Sequence, residues 1–354
     1  MLNSLTPSPL VVALRTYSPR MPACLSKSGR TSTLTWQTHT KAWTGPSYAD
    51  WAQAFGGLFP DPRPTFLPDH GPVLFDQLVT PAVRNVDDEG KVSVVITSFR
   101  PGVELLTAVR SIVNQSWSNL EILLVDDGSP SEHGSILDQC VTLDARVKLI
   151  RLDANVGTYM ARNVALDAAT GDFVTFQDSD DWSHPKRIEE QVRLLLQDKT
   201  LMATVSEALK VTEHLSITKP GRNPRVMCTS SMMFRRRSAL AKIGYMDSVR
   251  KSADTEYLRR IEVAFTPRSV HRIRDSIYAL IRQHNGSLSA CEFREGGCTQ
   301  PASPTGRLTR SGMSRLLPAV PIRISLKIFG GGHFQLRLIS GRLAPGLRQS
   351  LAMT

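Results

Sequence analysis

Short apolar runs alternate with longer amphipathic segments between residues 91 and 197. Four runs, rich in β-branched residues, predict buried strands at residues 92–97, 121–125, 147–152 and 173–176. Apolar residues at helical spacing predict helices at residues 103–115, 131–143, 158–169 and 185–197. Strands that alternate with helices in this way indicate an α/β fold, with a mostly parallel central sheet flanked by helices.

The pattern changes beyond residue 200, where the predicted strands are longer. Residues 201–212, 226–234 and 276–283 predict strands, and residues 239–243 and 253–263 predict helices. We expect one domain at residues 91–290, with the second half forming the side that receives an acceptor.

The two ends of the chain lack such patterns. Residues 1–90 hold many prolines, so we expect a largely irregular N-terminal arm with one short helix at residues 48–55. Residues 291–354 are rich in Arg, Gly, Pro and Ser, and we expect a basic, disordered C-terminal tail.

Charge and cysteine content narrow the classes of partner and compartment. The net charge is +11, and no acidic residue follows Glu295. A basic nucleic-acid-binding or scaffold protein is the non-enzymatic alternative, but the excess charge is not interleaved with aromatic residues, so no nucleic acid is expected as a partner. The five cysteines form no C-x-x-C pair, and no apolar run is long enough for a signal peptide or a membrane span. We expect a cytoplasmic location, with contact between the basic tail and the inner membrane surface left open.

Polar residues follow three of the predicted parallel strands. They are Thr97-Ser98, Asp126-Asp127 and Asp178-Ser179-Asp180. Because ligands bind beyond the carboxyl ends of parallel strands, these residues predict one site. Asp178, Asp180 and Asp181 disfavour one another's ionisation unless a cation lies among them, and Mg²⁺ shares oxygen ligands with substrate phosphates. The cluster therefore predicts a site for Mg²⁺ or Mn²⁺ and a diphosphate.

Four motifs in this order resemble those of the inverting glycosyltransferases of family 2, which have the GT-A nucleotide-diphospho-sugar transferase fold. They are VSVVITSF, SIVNQSWSNLEILLVDDGS, NVGTYMARNVALDAATGDFVTFQDSDD, and MMFRRRSALAKIGYMDS followed by SADTEYLRRI. The resemblance covers residues 91–289 and neither end of the chain.

The resemblance implies a role for each matching residue. Residues that would bind the donor nucleotide are Thr97, Ser98, Glu121, Asp126, Asp127, Asn155, Gly157, Arg162 and Asp178. Asp127 would accept a hydrogen bond from the base and Asp126 would orient its loop. The metal ligands would be Asp180, Asp178 and His284. Two alternatives are equally open. Arg162 could lie on an exposed helical face, and His284 could be a surface or packing residue.

Inversion by direct displacement needs a base that removes the proton of the acceptor hydroxyl. Asp254, at the start of a predicted helix, is the candidate, and Glu256 is its local rival. The alternative for Asp254 is a carboxylate that only stabilises the helix dipole.

The predicted function is therefore a metal-dependent inverting glycosyltransferase. It would move a sugar from a UDP-, GDP- or dTDP-sugar to a hydroxyl acceptor. A nucleotidyltransferase on a related fold is the enzymatic alternative, although TSFRPGVE lacks the glycines that cradle a triphosphate. A dinucleotide-binding dehydrogenase is disfavoured because no G-x-G-x-x-G follows a strand.

Overall fold

A computed structural model describes residues 51–52, 55–67, 73–218, 224–249, 251–283, 322–328 and 332–338. The strands are β1 (Thr65–Phe66), β2 (Leu78–Val79), β3 (Val92–Ser98), β4 (Leu120–Asp126), β5 (Val147–Leu152), β6 (Phe173–Asp178), β7 (Trp182–Ser183), β8 (Ala203–Thr212), β9 (Arg225–Arg235), β10 (Val270–Gln283), β11 (Ile322–Ile328) and β12 (Gly332–Leu338). The α-helices are α1 (Glu104–Val113), α2 (Gly134–Thr142), α3 (Thr158–Ala168), α4 (Arg187–Gln197), α5 (Arg236–Ile243) and α6 (Ala253–Phe265).

Ten of these strands form one sheet in the order β12-β11-β5-β4-β3-β6-β9-β8-β10-β7. The four strands β5, β4, β3 and β6 run parallel, as the alternation of strands and helices predicts. The second half of the chain adds β9 antiparallel to both β6 and β8, while β10 lies parallel to β8. The predicted α/β class with a helix-flanked central sheet is confirmed.

Apolar side chains cover both faces of the parallel strands. All seven residues of β3 and of β4 are buried, which is why their sequences read as continuous apolar runs. One face packs against α3 and α6, and the other packs against α1, α2 and α4. The parallel core is thus held from both sides, so its carboxyl edge is a rigid platform.

The N-terminal arm contributes a third apolar cluster. Trp51, Phe55, Phe59 and Phe75 are buried against side chains of β7, β8 and β10. Trp51, Ala52 and Phe55 are helical, within the predicted short helix at residues 48–55, and the rest of the described arm consists of short 3₁₀ turns and the two-residue strands β1 and β2. The described aromatic residues of the arm thus pack against the sheet.

In the C-terminal region the structure describes only β11 and β12, and the rest of the predicted tail at residues 291–354 lies outside the described residues. The backbone of β11 pairs antiparallel with β5 and with β12, so the sheet extends beyond β5. Among the described residues, no helix is both long and apolar enough to cross a membrane.

Candidate active site

The register of the parallel strands brings the polar strand ends into one row. Thr97 pairs with Val125 on one side and with Asp178 on the other, and Ser98 pairs with Asp126. Thr97, Ser98 and Asp126 are buried, whereas the side chain of Asp178 is 40% exposed. The predicted convergence of these residues at one sheet edge is confirmed.

Asp127 joins the loop after β4 to the loop after β5. Its carboxylate accepts hydrogen bonds from the main-chain N–H groups of Val156 at 2.7 Å and Gly157 at 2.9 Å. Burial raises the pKa of Asp127, and these two bonds partly offset the rise. Asp126 accepts a bond from the N–H of Ser129 at 3.0 Å, within its own loop. The two loops therefore form one wall of the site.

Gly128 makes the close approach of these two loops possible. Its φ is +72°, and a Cβ there would lie 2.4 Å from the carbonyl carbon of Ala154 and 2.6 Å from the nitrogen of Asn155. A side chain would meet rigid backbone, so glycine is required. Beside this contact a cleft of about 410 Å³ opens, lined by Asn155, Val156, Gly157, Tyr159, Met160, Ser248 and Val249.

Arg162 forms an ion pair with Asp178. Its Nη2 atom donates to Oδ1 of Asp178 at 2.6 Å, and its side chain is 3% exposed. The guanidinium lies over the ring of Phe176 at 4.8 Å and near that of Tyr159 at 5.5 Å. The alternative of an exposed helical face is therefore wrong, because α3 turns Arg162 toward the sheet edge.

Two polar atoms at this edge are buried without a hydrogen-bond partner among the described residues. They are Oγ of Ser98 and Nε of Arg162. Nearly all buried polar atoms in native proteins are hydrogen-bonded, so each exception calls for an explanation. Both atoms belong to residues that the sequence assigns to donor binding.

The turn between β6 and β7 carries the three clustered carboxylates. Asp178 and Asp180 are partly exposed, whereas Asp181 is buried and accepts a bond from the N–H of Arg282 at 2.9 Å. Burial raises the pKa of Asp181 well above its usual range, and the charges of Asp180 and Asp178 add to the rise. Asp181 is therefore engaged in holding the turn.

The chemistry of the partly exposed carboxylates suits a hard divalent cation. Magnesium is commonly bound by one or two carboxylates together with water and substrate phosphates, and Asp178 and Asp180 offer this donor set. Across the described residues, no group of three His, Cys, Asp or Glu side chains converges as a metal site. His284, the third predicted ligand, lies outside the described residues.

Asp254 is held in place by three hydrogen-bond donors. Thr229 on β9 donates to its Oδ2 at 2.7 Å, and its Oδ1 accepts from the hydroxyl of Tyr159 at 3.3 Å and from the N–H of Thr255 at 2.8 Å. Burial and the charge of Asp254 raise the pKa of Tyr159 to about 12, so this phenol remains a donor. The rival Glu256 forms an ion pair with Arg260 instead.

Tyr159 connects Asp254 to the polar residues at the ends of the parallel strands. Its hydroxyl contacts Asp254, and its ring lies beside Arg162, which holds Asp178. Neither Tyr159 nor Thr229 is among the site residues predicted from the sequence. The spacing of Tyr159 three positions before Arg162, on one helical face, was an available signal. No local signal marks Thr229, because only the pairing of β9 brings it to α6.

Glu121 does not lie at this edge, so its predicted donor contact needs correction. It pairs with Ser93 near the opposite end of β4, five positions before Asp126, or roughly 16 Å along the strand. Its carboxylate accepts bonds from Ser93 and Thr170 and lies 3.1 Å from Nζ of Lys148. Burial opposes ionisation, but these partners outweigh it and lower the pKa of Glu121 to about 2. Its role is to join β3, β4 and the turn before β6.

Comparison with known proteins adds an independent line of evidence. The model of the family described as glycosyl transferase family 2 matches residues 93–258. An uncharacterized glycosyltransferase of Haemophilus influenzae is 35% identical over 111 residues, which is 31% of this chain and 44% of that protein. Glycosyltransferase GlyG of Streptococcus pneumoniae is 36% identical over 98 residues, 28% of this chain and 33% of that protein.

A solved structure is also similar. It is that of S. aureus TarS 1–349 in complex with UDP-GlcNAc, with 18% sequence identity and a TM-score of 0.45 over 58% of this chain and 62% of that one. The chain spans less than half the length of either glycosyltransferase relative above.

Proposed function

The chain belongs to glycosyl transferase family 2 through residues 93–258, and from this premise we propose that it transfers a sugar from a nucleoside-diphosphate sugar to a hydroxyl acceptor. The donor would be a UDP-, GDP- or dTDP-sugar. The observation that carries the proposal is the row of polar strand ends with its two unpartnered buried atoms, Oγ of Ser98 and Nε of Arg162.

These unpartnered atoms support a polar donor. A buried hydroxyl or guanidinium N–H that lacks a partner costs about 1–3 kcal/mol, which a ligand oxygen would recover. Arg162 suits a diphosphate because its fork of N–H groups matches phosphate geometry. Its pairing with Asp178 keeps the guanidinium oriented at the strand-end row.

Asp178 and Asp180 would hold Mg²⁺ or Mn²⁺ at the diphosphate. When bound, the cation would offset the negative charge that develops on the departing nucleoside diphosphate. His284 remains the proposed third ligand. Asp181, which holds the turn, is not assigned to the metal.

Asp254 would act as the base in an inverting displacement. Its carboxylate accepts the proton of the acceptor hydroxyl while that oxygen forms a bond to the anomeric carbon. The bond from this carbon to the diphosphate oxygen breaks, and the electron pair leaves with the diphosphate. The three donors to Asp254 support this role because they fix the carboxylate without neutralising it.

The binding part of the proposal is tested by thermal shift with UDP-, GDP- and dTDP-sugars, with and without Mn²⁺. A donor present at 100 times its Kd stabilises the folded protein by about 2.7 kcal/mol, which is roughly 5–10 °C in Tm for a unit of this size. We expect a metal-dependent rise with one donor class and its loss in Asp180→Ala. No rise with any nucleotide sugar would contradict the proposal.

The chemical part is tested with Asp254→Asn against a matched control, Glu256→Gln, two positions away on the same helix. We expect Asp254→Asn to keep donor affinity within about twofold and to lower kcat by about 10²- to 10⁴-fold. Glu256→Gln should keep both, because its partner is Arg260. Normal turnover in Asp254→Asn would remove this residue from the mechanism.

A further inference from the structure

A buried ion pair lies directly behind the carboxylate turn between β6 and β7. It joins Asp76, in the N-terminal arm, to Arg282, near the end of β10, and the two side chains are 8% and 4% exposed. Both guanidinium nitrogens Nη1 and Nη2 donate to the carboxylate of Asp76. Both residues lie outside residues 93–258, the part that matches the family.

Arg282 also contacts the turn itself. Its Nε donates to the main-chain oxygen of Asp180 at 3.1 Å, and its own main-chain N–H donates to Oδ1 of Asp181 at 2.9 Å. The Arg282 side chain thus contacts both Asp76 and Asp180, whose carboxylate is a proposed metal ligand. One guanidinium fixes both the backbone of the turn and the arm.

Neighbouring contacts hold Asp76 in this position. Thr107 on α1 donates to its Oδ1 at 2.7 Å. The ring of Phe75 lies 4.2 Å from the guanidinium carbon of Arg282, and the N–H of Phe75 donates to the carbonyl of Glu213 at 3.0 Å. Asp76 therefore has a defined place in the folded unit, although its segment has little regular structure.

We propose that Asp76 is a positioning residue for the metal–diphosphate site, acting through Arg282 on the turn that carries Asp180. The metal part of this inference rests on the proposed function. The physical reason is that a buried guanidinium without a counter-charge moves toward water or another acceptor. When it moves, Asp180 loses the main-chain hydrogen bond from Nε of Arg282, and its carboxylate samples a wider range of positions.

The test compares Asp76→Asn with Asp61→Asn in the full chain. Asp61 lies in the same arm, but its side chain is 87% exposed and pairs with an exposed Arg63. Hydrogen–deuterium exchange is measured for the peptide spanning residues 178–183 and for β3 and β4. We expect at least tenfold faster exchange at residues 178–183 in Asp76→Asn only, with β3 and β4 unchanged in both variants.

A second readout separates positioning from general stability. Mn²⁺ affinity, measured without donor well below the Tm of each variant, should fall about tenfold in Asp76→Asn and remain unchanged in Asp61→Asn. Thr107→Val removes one donor to Asp76 and keeps the charges, so it should change exchange and affinity in the same direction by a smaller factor. Thr107→Val also allows the proposal to be tested if Asp76→Asn does not fold.

Unchanged exchange at residues 178–183 in both Asp76→Asn and Thr107→Val would overturn the inference. So would faster exchange spread equally over β3, β4 and the turn, since that indicates a merely structural role. Failure of wild-type protein to bind Mn²⁺ would instead overturn the proposed metal site. The exchange measurement would still decide whether Asp76 holds the turn.

Discussion

Replacing Gly128 with alanine tests whether the close approach of two loops builds the donor wall. At this position φ is +72°, and the new Cβ would lie 2.4 Å from the carbonyl carbon of Ala154. Carbon atoms pack at about 3.5–4.0 Å, so the loop after β5 must move by about 1 Å. That displacement would pull the N–H groups of Val156 and Gly157 away from the carboxylate of Asp127.

Two contributions determine how far Gly128→Ala lowers the free energy of unfolding. An alanine in the left-handed region costs about 1–2 kcal/mol. Each hydrogen bond to a charged group contributes about 1.5–3 kcal/mol, so loss of both bonds to Asp127 adds about 3–6 kcal/mol. Gly244→Ala is the control for a positive φ without a clash, because its φ is +71° and its Cβ would meet nothing within 4 Å. Its ψ of −150° lies in a region that glycine alone commonly adopts, where a side chain costs about 1–3 kcal/mol.

Thermal unfolding separates the two contributions. For a unit of this size each kcal/mol corresponds to about 2–4 °C in Tm, so Gly244→Ala should lower Tm by roughly 2–12 °C. Gly128→Ala combines the two contributions, about 4–8 kcal/mol, and should lower Tm by roughly 8–32 °C. It should also weaken the proposed nucleotide-dependent rise in Tm, which Gly244→Ala should retain. Equal losses of Tm in both variants would refute the reasoning from the 2.4 Å approach.

Four further outcomes are expected. Burial lowers the pKa of His184 to about 4 from its ordinary 6.5, so the unfolded state binds the proton more readily between these values. The free energy of unfolding should therefore fall by about 3 kcal/mol as pH drops from 6.5 toward 4, and His184→Gln should remove this part of the slope in urea titrations. Glu121→Gln should lower the free energy of unfolding by about 2–4 kcal/mol and leave donor affinity unchanged, measured by urea unfolding and donor titration. Arg162→Lys should weaken donor binding about tenfold in titrations, because lysine lacks the fork of N–H groups that matches phosphate geometry. A chain that starts at Lys91 should aggregate on size exclusion, because it exposes the apolar partners of the arm.

Each of these expectations has a contrary result. An unchanged pH slope in His184→Gln would mean that His184 is not held neutral by burial. If Glu121→Gln binds the donor more weakly, Glu121 contributes to donor binding after all. If Arg162→Lys binds the donor with wild-type affinity, the guanidinium fork does not contribute to donor recognition. If the chain that starts at Lys91 is monomeric and unfolds cooperatively, the arm is dispensable for folding.

The sequence predicts the parallel half of the fold closely, for a physical reason. A strand covered on both faces is a mostly apolar run, so the strand predicted at residues 92–97 matches β3 to within one residue. The parallel topology then forces Ser98, Asp126 and Asp178 to one edge. β10 is predicted only from residue 276, although it begins at Val270, because its first residues include exposed charged side chains whose strand conformation comes from pairing with β8.

Long-range side-chain contacts carry no local signal, and these complete the site. Tyr159 and Asp254 are 95 positions apart, and Asp76 and Arg282 are 206 apart. Hydrophobic periodicity reports which face of an element is buried, but it does not report which partner a polar side chain meets. The position of Glu121 shows the same limit, since a motif identifies the residue but not the edge of the sheet at which its side chain lies.

The N-terminal arm shows how an irregular backbone can still be part of a folded unit. The sequence predicts one short helix there, at residues 48–55, and the prolines from Pro60 onward exclude a longer regular element. Burial depends on side chains rather than on backbone regularity, and Phe59 packs against Trp182 while the carbonyl of Pro62 contacts Nε2 of His184. These contacts, with the Asp76–Arg282 pair, fix the segment that follows Asp181 from the side opposite to the parallel strands. The match at residues 93–258 therefore contains Asp178, Asp180 and Asp254, but not the arm or Arg282, whose contacts hold the turn that carries the clustered carboxylates.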